Sequence, residues 1–324
     1  MRKILSIGEA TMDVFVMLHE GDARVTLSHQ HAELRLNFSE KIPVEQLEFD
    51  VGGNAANTAV SFARLGFSSQ LYSIIGSDFL ASQIRHTLEK EGVDLRYLEH
   101  YKGTTSYTTA LVFRGERTLL IHHVPHQYDP PNFEPVDWVY LTSMGKSYKL
   151  AYDKALTFIK KYRPKVSFNP GSYQLKSGVK ALMPYLTVTD VLFVNVEEAQ
   201  HLTELSASAK IRSLCEALYD LGPKIVVITD GPKGAYTFDG SDLLFCKTFP
   251  SKVVERTGAG DAYASGVTAA LLDGKDLTEA MRWGNACSAG VVGAIGPEAG
   301  LPDREKLQDS LHEHRKIVPR IIRH

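Results

Sequence analysis

The sequence predicts an α/β fold built on a parallel central sheet, and three observations carry that expectation. Short runs of Val, Ile and Leu that are apolar at nearly every position recur along the chain, as strands covered on both faces require. Between them lie stretches with a 3.6-residue apolar period, so strand and helix alternate. Two β-rich stretches break the alternation, at about 13–51 and 100–123, and their period-two segments read as hairpins set beside the main sheet.

In chain order, the first strand covers residues 4–7. The basic start Met1-Arg2-Lys3 superficially resembles a secretory signal, but Glu9 and Asp13 interrupt the apolar run too early for one. Gly52 and Gly53 lead into a helix over 54–65 that stops at Gly66. The strand at 71–75 precedes a helix over 78–91 that stops at Gly92. The second hairpin joins 106–113 to 117–122 through the turn Arg114-Gly115-Glu116. Further strands fall at 138–141, 166–168, 191–194 and 225–228, and a helix over 152–162 ends before Pro164. A stretch of small and apolar residues, 260–272, reads as a buried helix. These elements describe a single domain, 1–324, whose two β-rich insertions form either a lid over a ligand or plain edge strands. The tail residues Arg315, Lys316, Arg320 and Arg323 read as a solvated basic end.

Composition narrows the function classes. The 324 residues are 44% apolar and 23% charged, within the globular range. Thirty-six Lys and Arg against 38 Asp and Glu leave a formal charge of −2, so no overall field attracts nucleic acid or an acidic membrane. No window approaches a bilayer-spanning apolar length. The odd, widely spaced Cys215, Cys246 and Cys287 suggest reduced packing residues of a cytoplasmic protein.

The strongest local motif is Glu255-Arg256-Thr257-Gly258-Ala259-Gly260-Asp261, in front of the buried helix. Free amides at a helix start bind anions. Gly258, Ala259 and Gly260 put nothing larger than a methyl between the backbone and a phosphate oxygen. The stretch lacks both the Lys-Ser/Thr ending of a Walker A loop and the G-x-G-x-x-G spacing of a dinucleotide fold. Asp261 would repel phosphate unless it has a task of its own, and taking the proton from a hydroxyl that attacks a γ-phosphorus is such a task. The plain alternative is an acidic residue favoured by the helix macrodipole.

Asn54 and Asn57 lie three residues apart on one helix face. Asn54 suits a cap or a ligand contact; Asn57 sits one turn in, where Asn is a poor helix former, and its amide could read a hydroxyl-rich ligand. Asp13, beyond the first strand, could accept two hydroxyls at the sheet end where ligands gather. After the strand at 191–194, Asn195-Val196-Glu197-Glu198 offers a carboxylate able to orient magnesium-bound water, or a capped acidic helix start. Thr229-Asp230-Gly231-Pro232-Lys233-Gly234 links two strands and reads in isolation as a turn.

In this order and spacing the segments resemble the ribokinase or PfkB family of ATP-dependent carbohydrate and nucleoside kinases, over nearly the whole chain. Gly52-Gly53-Asn54 through Asn57 is similar to its first signature, Asn195 to Glu198 to its N-x-x-E motif, Thr229 to Gly234 to its T-x-G-x-x-G turn, and Gly258 to Asp261 to its G-A-G-D signature. The resemblance implies a doubly wound core with a β-lid and phosphoryl transfer from MgATP to an alcohol. It implies Asp261 as base, with Gly258, Ala259 and Gly260 as anion hole. Asn195 and Glu198 would organise magnesium, Glu198 through water, and Asp13, Gly52, Gly53, Asn54 and Asn57 would surround the substrate. Thr229, Gly231 and Gly234 would lie along the nucleotide. Members often respond to a potassium ion held partly by an Asp that opens the last signature. Here Glu255 stands there, with a longer arm, and Arg256 adds a competing charge, which argues against potassium; residues 296–302 resemble the loop supplying the ion's other ligands.

Arg117 in the second lid segment reads as a surface residue or as a contact to a sugar phosphate. His122, His123 and His126 lack a further ligand set for zinc and read as lid residues. The leading expectation is a cytoplasmic kinase that phosphorylates a primary hydroxyl of a monosaccharide, and the lid hairpins could clasp a second subunit. The rivals are a nucleoside kinase with the same machinery and a ligand-binding homologue without turnover.

Overall fold

The structure, a computed structural model, describes residues 1–21, 23–27, 32–114 and 116–322. Gly115 in the expected turn and Arg323 in the tail lie outside the described residues. Among the described residues a 10-stranded sheet runs, edge to edge, Asp94–His100, Ser68–Ile75, Lys3–Ile7, Trp138–Thr142, Lys165–Asn169, Val191–Asn195, Ile225–Thr229, Ala235–Phe238, Leu243–Cys246 and Arg320–Ile321. It is parallel as far as Ile225–Thr229 and antiparallel beyond.

Successive side chains of a strand point to opposite faces, and here both faces are apolar. Ile4, Tyr140, Phe193 and Val227 enter one core, with the helices Asn54–Arg64, Phe79–Lys90, Ala259–Leu272, Leu277–Val292 and Arg304–Glu313. Leu5, Val139, Leu192 and Val226 enter the other, with Lys149–Tyr162, Val179–Leu186, Val196–Thr203 and Ile211–Tyr219. The sheet is therefore wound on both sides, as expected. Cys215, Cys246 and Cys287 are buried and unpaired. Among the described residues no helix is long and apolar enough to cross a membrane.

The two β-rich stretches meet in a separate 4-stranded sheet, ordered Val44–Gly52, Thr11–Leu18, Tyr107–Phe113, Glu116–His122, with the hairpin Ala23–Leu27 and Ala32–Leu36 beside it. They are not edge strands of the central sheet. Asp13, beyond the first strand, lies within the lid strand Thr11–Leu18. The helix expected over 152–162 starts a turn earlier, at Lys149, and ends where Arg163 adopts φ 53° ahead of Pro164, a residue position that proline bars from the helical region. The tail is less free than its charge suggested: Arg320–Ile321 adds an edge strand to Leu243–Cys246, and the Arg320 guanidinium lies over the Phe245 ring. Backbone pairing and a cation–π contact outweigh solvation there.

Candidate active site

At the carboxyl ends of the central strands, Gly258 turns the chain into the Ala259–Leu272 helix. Its φ of 75° is open to glycine and costly for other residues, and an added Cβ would sit 2.5 Å from the Pro297 Cβ. Among the described residues the Gly258 and Gly260 amides make no hydrogen bond, whereas the Ala259 N–H closes a turn on the Arg256 carbonyl at 3.3 Å. The expectation of three free amides is corrected to two, because the chain tightens by one turn before the helix begins.

One turn into this helix, Asp261 is 8% exposed. Its two oxygens accept one hydrogen bond each, from Asn54 Nδ2 and from Asn57 Nδ2, both at 2.9 Å. Residues three apart share a helix face, which is why two asparagines tolerated at poor helical positions can grip one carboxylate. Asn54 is not the cap that it could have been: Gly53 takes that place, at φ 91°, and no side chain caps the helix. Asn57 keeps a buried Oδ1 without a partner, an acceptor suited to a hydroxyl. No cation pairs with Asp261 among the described residues. Burial pushes its carboxyl up to about 6, against the two amide donors, Asn57 and Asn54, that lower it.

Asp13 lies directly across the lid strands from Asp50. A side chain at Gly52 would overlap the Asp13 carboxylate, so that glycine makes room for the acid. Burial, and then the charge of Asp50, push Asp13 up to about 7. Two facing carboxylates in a lid are unfavourable by themselves, and sequence reasoning missed Asp50 because only strand register brings the pair together.

Asn54, Arg117, Asn195, Glu198, Thr229 and Asp261 line one cavity of about 230 Å³. A larger, mostly apolar one of about 410 Å³ adjoins it through Thr229, Arg256 and Gly260, and there Gly231 and Gly234 meet Phe249, Tyr263 and Asn285. The last three escaped sequence reasoning, although Asn285 is a polar residue inside an apolar helix and could have been found on that ground. Glu198 and Asn195 form a reciprocal cap, Asn195 N–H to Glu198 Oε2 at 2.9 Å and Glu198 N–H to Asn195 Oδ1 at 2.8 Å. The capping reading is therefore present in the structure, and Glu198 Oε1 remains without a donor among the described residues. That free oxygen, on a carboxylate lining the cavity, fits a water-mediated contact to a hard cation.

Arg117 reaches from the lid to Glu255, Nη1 to Oε1 at 2.6 Å, so it is not a plain surface arginine. His123 stands 3.3 Å from Glu9, whose carboxylate raises its pKa, and His126 is buried against Tyr101 and Tyr128. His122 packs on Tyr107. Among the described residues no three His, Cys, Asp or Glu side chains converge as for a metal ion.

Comparison with known proteins gives matches over nearly the whole chain. The family model described as pfkB family carbohydrate kinase matches residues 1–304. The nucleoside kinase of Methanocaldococcus jannaschii is 29% identical over 293 residues, 86% of this chain and 90% of that protein. The ribokinase of Bacillus subtilis is 26% identical over 322 residues, 96% of this chain and 100% of that protein. The solved structure of Arabidopsis thaliana ribokinase complexed with ribose and ATP has a TM-score of 0.77 and 21% identity, covering 96% of this chain and 98% of that one; at that identity it is the fold that is shared.

Proposed function

Because the chain belongs to the pfkB family of carbohydrate kinases, which are phosphotransferases with an alcohol acceptor, we propose that it transfers the γ-phosphoryl group of ATP to a primary hydroxyl of a monosaccharide in the cytoplasm. The observation that carries the reading is the Asp261 carboxylate, which lines the smaller cavity, is held by two amides and pairs with no cation among the described residues. It takes the hydroxyl proton as that oxygen attacks phosphorus. The Gly258 and Gly260 amides then hold the charge on the transferred group. Asp13 and Asn57 Oδ1 accept further hydroxyls of the acceptor, while Thr229, Gly231 and Gly234 flank the nucleotide. Magnesium arriving with the nucleotide supplies neutralising charge at the phosphates; Asn195 and Glu198 would hold its water.

The monosaccharide reading rests on the acceptors Asp13 and Asn57 Oδ1, the latter buried without a partner, polar groups that suit a small hydroxyl-rich molecule. One feature favours a nucleoside instead: Leu119 and Ile121, both exposed, share the lid face of Arg117 and could enclose a base. Mass spectrometry of products from pooled sugars and nucleosides decides between the two. Binding without any phosphorylated product, by protein that remains folded, would leave only the non-catalytic reading.

Both acids of the site must be ionised to act, so kcat/KM is expected to rise with pH across the interval from about 6 for Asp261 to about 7 for Asp13 and to level above it. A pH–rate profile checks this. The Asp13→Asn variant should keep only the lower limb and show a raised KM for the acceptor; an unaltered profile and KM would remove Asp13 from the pocket.

One face of the lid sheet carries a row of side chains in register, Phe49, Val14, Thr109 and Leu120; Val14 packs toward the body, and Phe49 and Leu120 are more than half exposed. An apolar sheet face of this kind seeks cover, and the proposed occupant is the same face of a second subunit. Sedimentation equilibrium should show a dimer for the wild type and a monomer for Phe49→Glu/Leu120→Glu. A monomeric wild type rules the contact out.

A further inference from the structure

The family resemblance implies a potassium ion between Glu255 and the loop at 296–302, but the residues present do not fit one. Glu255 is 3% exposed, and both of its oxygens are engaged. Each accepts from the Thr257 N–H at 2.8 Å, and Oε1 also accepts from the Thr257 hydroxyl and from Arg117 Nη1. On the opposite side, the carbonyls of Glu298 and Leu301 accept from Arg64 Nη1 at 2.6 and 3.0 Å, and Glu91 grips Arg64 at two points. Guanidinium groups already occupy Glu255 Oε1 and two carbonyls of that loop, and a cation beside either would meet their positive charge.

The two arginines differ in where they come from. Arg64 ends the Asn54–Arg64 helix of the body, whereas Arg117 comes from the lid strand Glu116–His122. Beside it, Glu116 of the lid faces Arg256 at 3.8 Å, in the transfer loop, residues 255–258, that leads into the Ala259–Leu272 helix; this is the same pairing in reverse, though exposure makes that contact weak. Lid and transfer loop are thus joined through a carboxylate that is costly to leave unpaired. Arg117 lines the cavity of Asp261 and lowers the pKa of Asp13 by its charge, so it stands between the acceptor's residues and the loop.

We propose that Arg117 is a positioning residue that brings, from the lid, the fixed positive charge of the transfer loop, so that the loop reaches its working geometry without a monovalent cation and only with the lid down. The proposal rests on the kinase reading. A lid that lifts removes the guanidinium, Glu255 loses its lid partner, and the Gly258 and Gly260 amides, further along the same loop, lose their support. Transfer to water while the lid is open is thereby disfavoured.

The test compares wild type, Arg117→Ala and Arg117→Lys in potassium chloride and in tetramethylammonium chloride at matched ionic strength. Wild type is expected to melt and to turn over equally in both salts. Arg117→Ala should lose turnover by on the order of 10²-fold, as misplacement of a reacting group does, and recover part of it with added guanidinium ion. Its melting temperature should rise in potassium, since Glu255 is free to take a small cation, and the Thr257 amide should exchange faster with solvent. Arg117→Lys keeps the charge without the fork and should fall between them, which preserves the comparison if the alanine variant does not fold. A potassium-dependent melting temperature of the wild type, or slow Thr257 exchange in both variants, overturns the proposal. Should none of the three proteins phosphorylate any acceptor, the kinase reading fails, while melting and exchange still decide what Arg117 does.

Discussion

Asp261→Asn is expected to lower kcat by about 10²- to 10⁴-fold, the usual worth of a positioned base, with nucleotide affinity little changed. The substitution keeps size and removes the proton acceptor. It also sets an amide against two amide donors, Asn54 Nδ2 and Asn57 Nδ2, so one asparagine must turn its oxygen inward. Asn57 can do so at little cost, because its Oδ1 has no partner to lose. The fold should therefore survive, and titration calorimetry with nucleotide alongside product analysis separates lost chemistry from lost binding. Turnover within a few-fold of wild type would strip Asp261 of its role.

Gly258→Ala should fall nearly as far, for a different reason. At φ 75° an L-residue costs roughly 1–2 kcal/mol, and its Cβ would lie 2.5 Å from the Pro297 Cβ and 2.9 Å from its Cα. Backbone has to move on one side or the other, and either way the Gly258 and Gly260 amides leave the position from which they face the transferred group. Losing one such donor costs on the order of 10²- to 10³-fold in kcat. Because Asp13 is held by the lid strands, the acceptor KM should stay near that of wild type. Steady-state kinetics with acceptor varied makes the test, and an undiminished kcat would show that these amides hold no charge in the reaction.

The parts of the site that were legible in the sequence are those encoded locally. All-apolar strands, Gly66 and Gly92 as helix stops, and the small residues before the Ala259–Leu272 helix each follow from a few neighbouring residues. Asn57 stood out because it is a poor choice for where it sits. What was not legible depends on contacts between distant segments. Arg117 and Glu255 are 138 residues apart, and no periodicity links them. Asp50 opposes Asp13 only through a register that a one-residue slip would abolish. Glu198 was read as cap or ligand, and its two oxygens allow both, a division that side-chain type alone cannot express.

The grip of Asn54 and Asn57 on Asp261 joins residues 204 and 207 positions apart. A nascent chain emerging amino-end first thus displays its lid and its asparagines long before the acid they hold has been synthesised. On the kinase reading proposed above, a fragment that stops before residue 261 would hold both asparagines and lack the base.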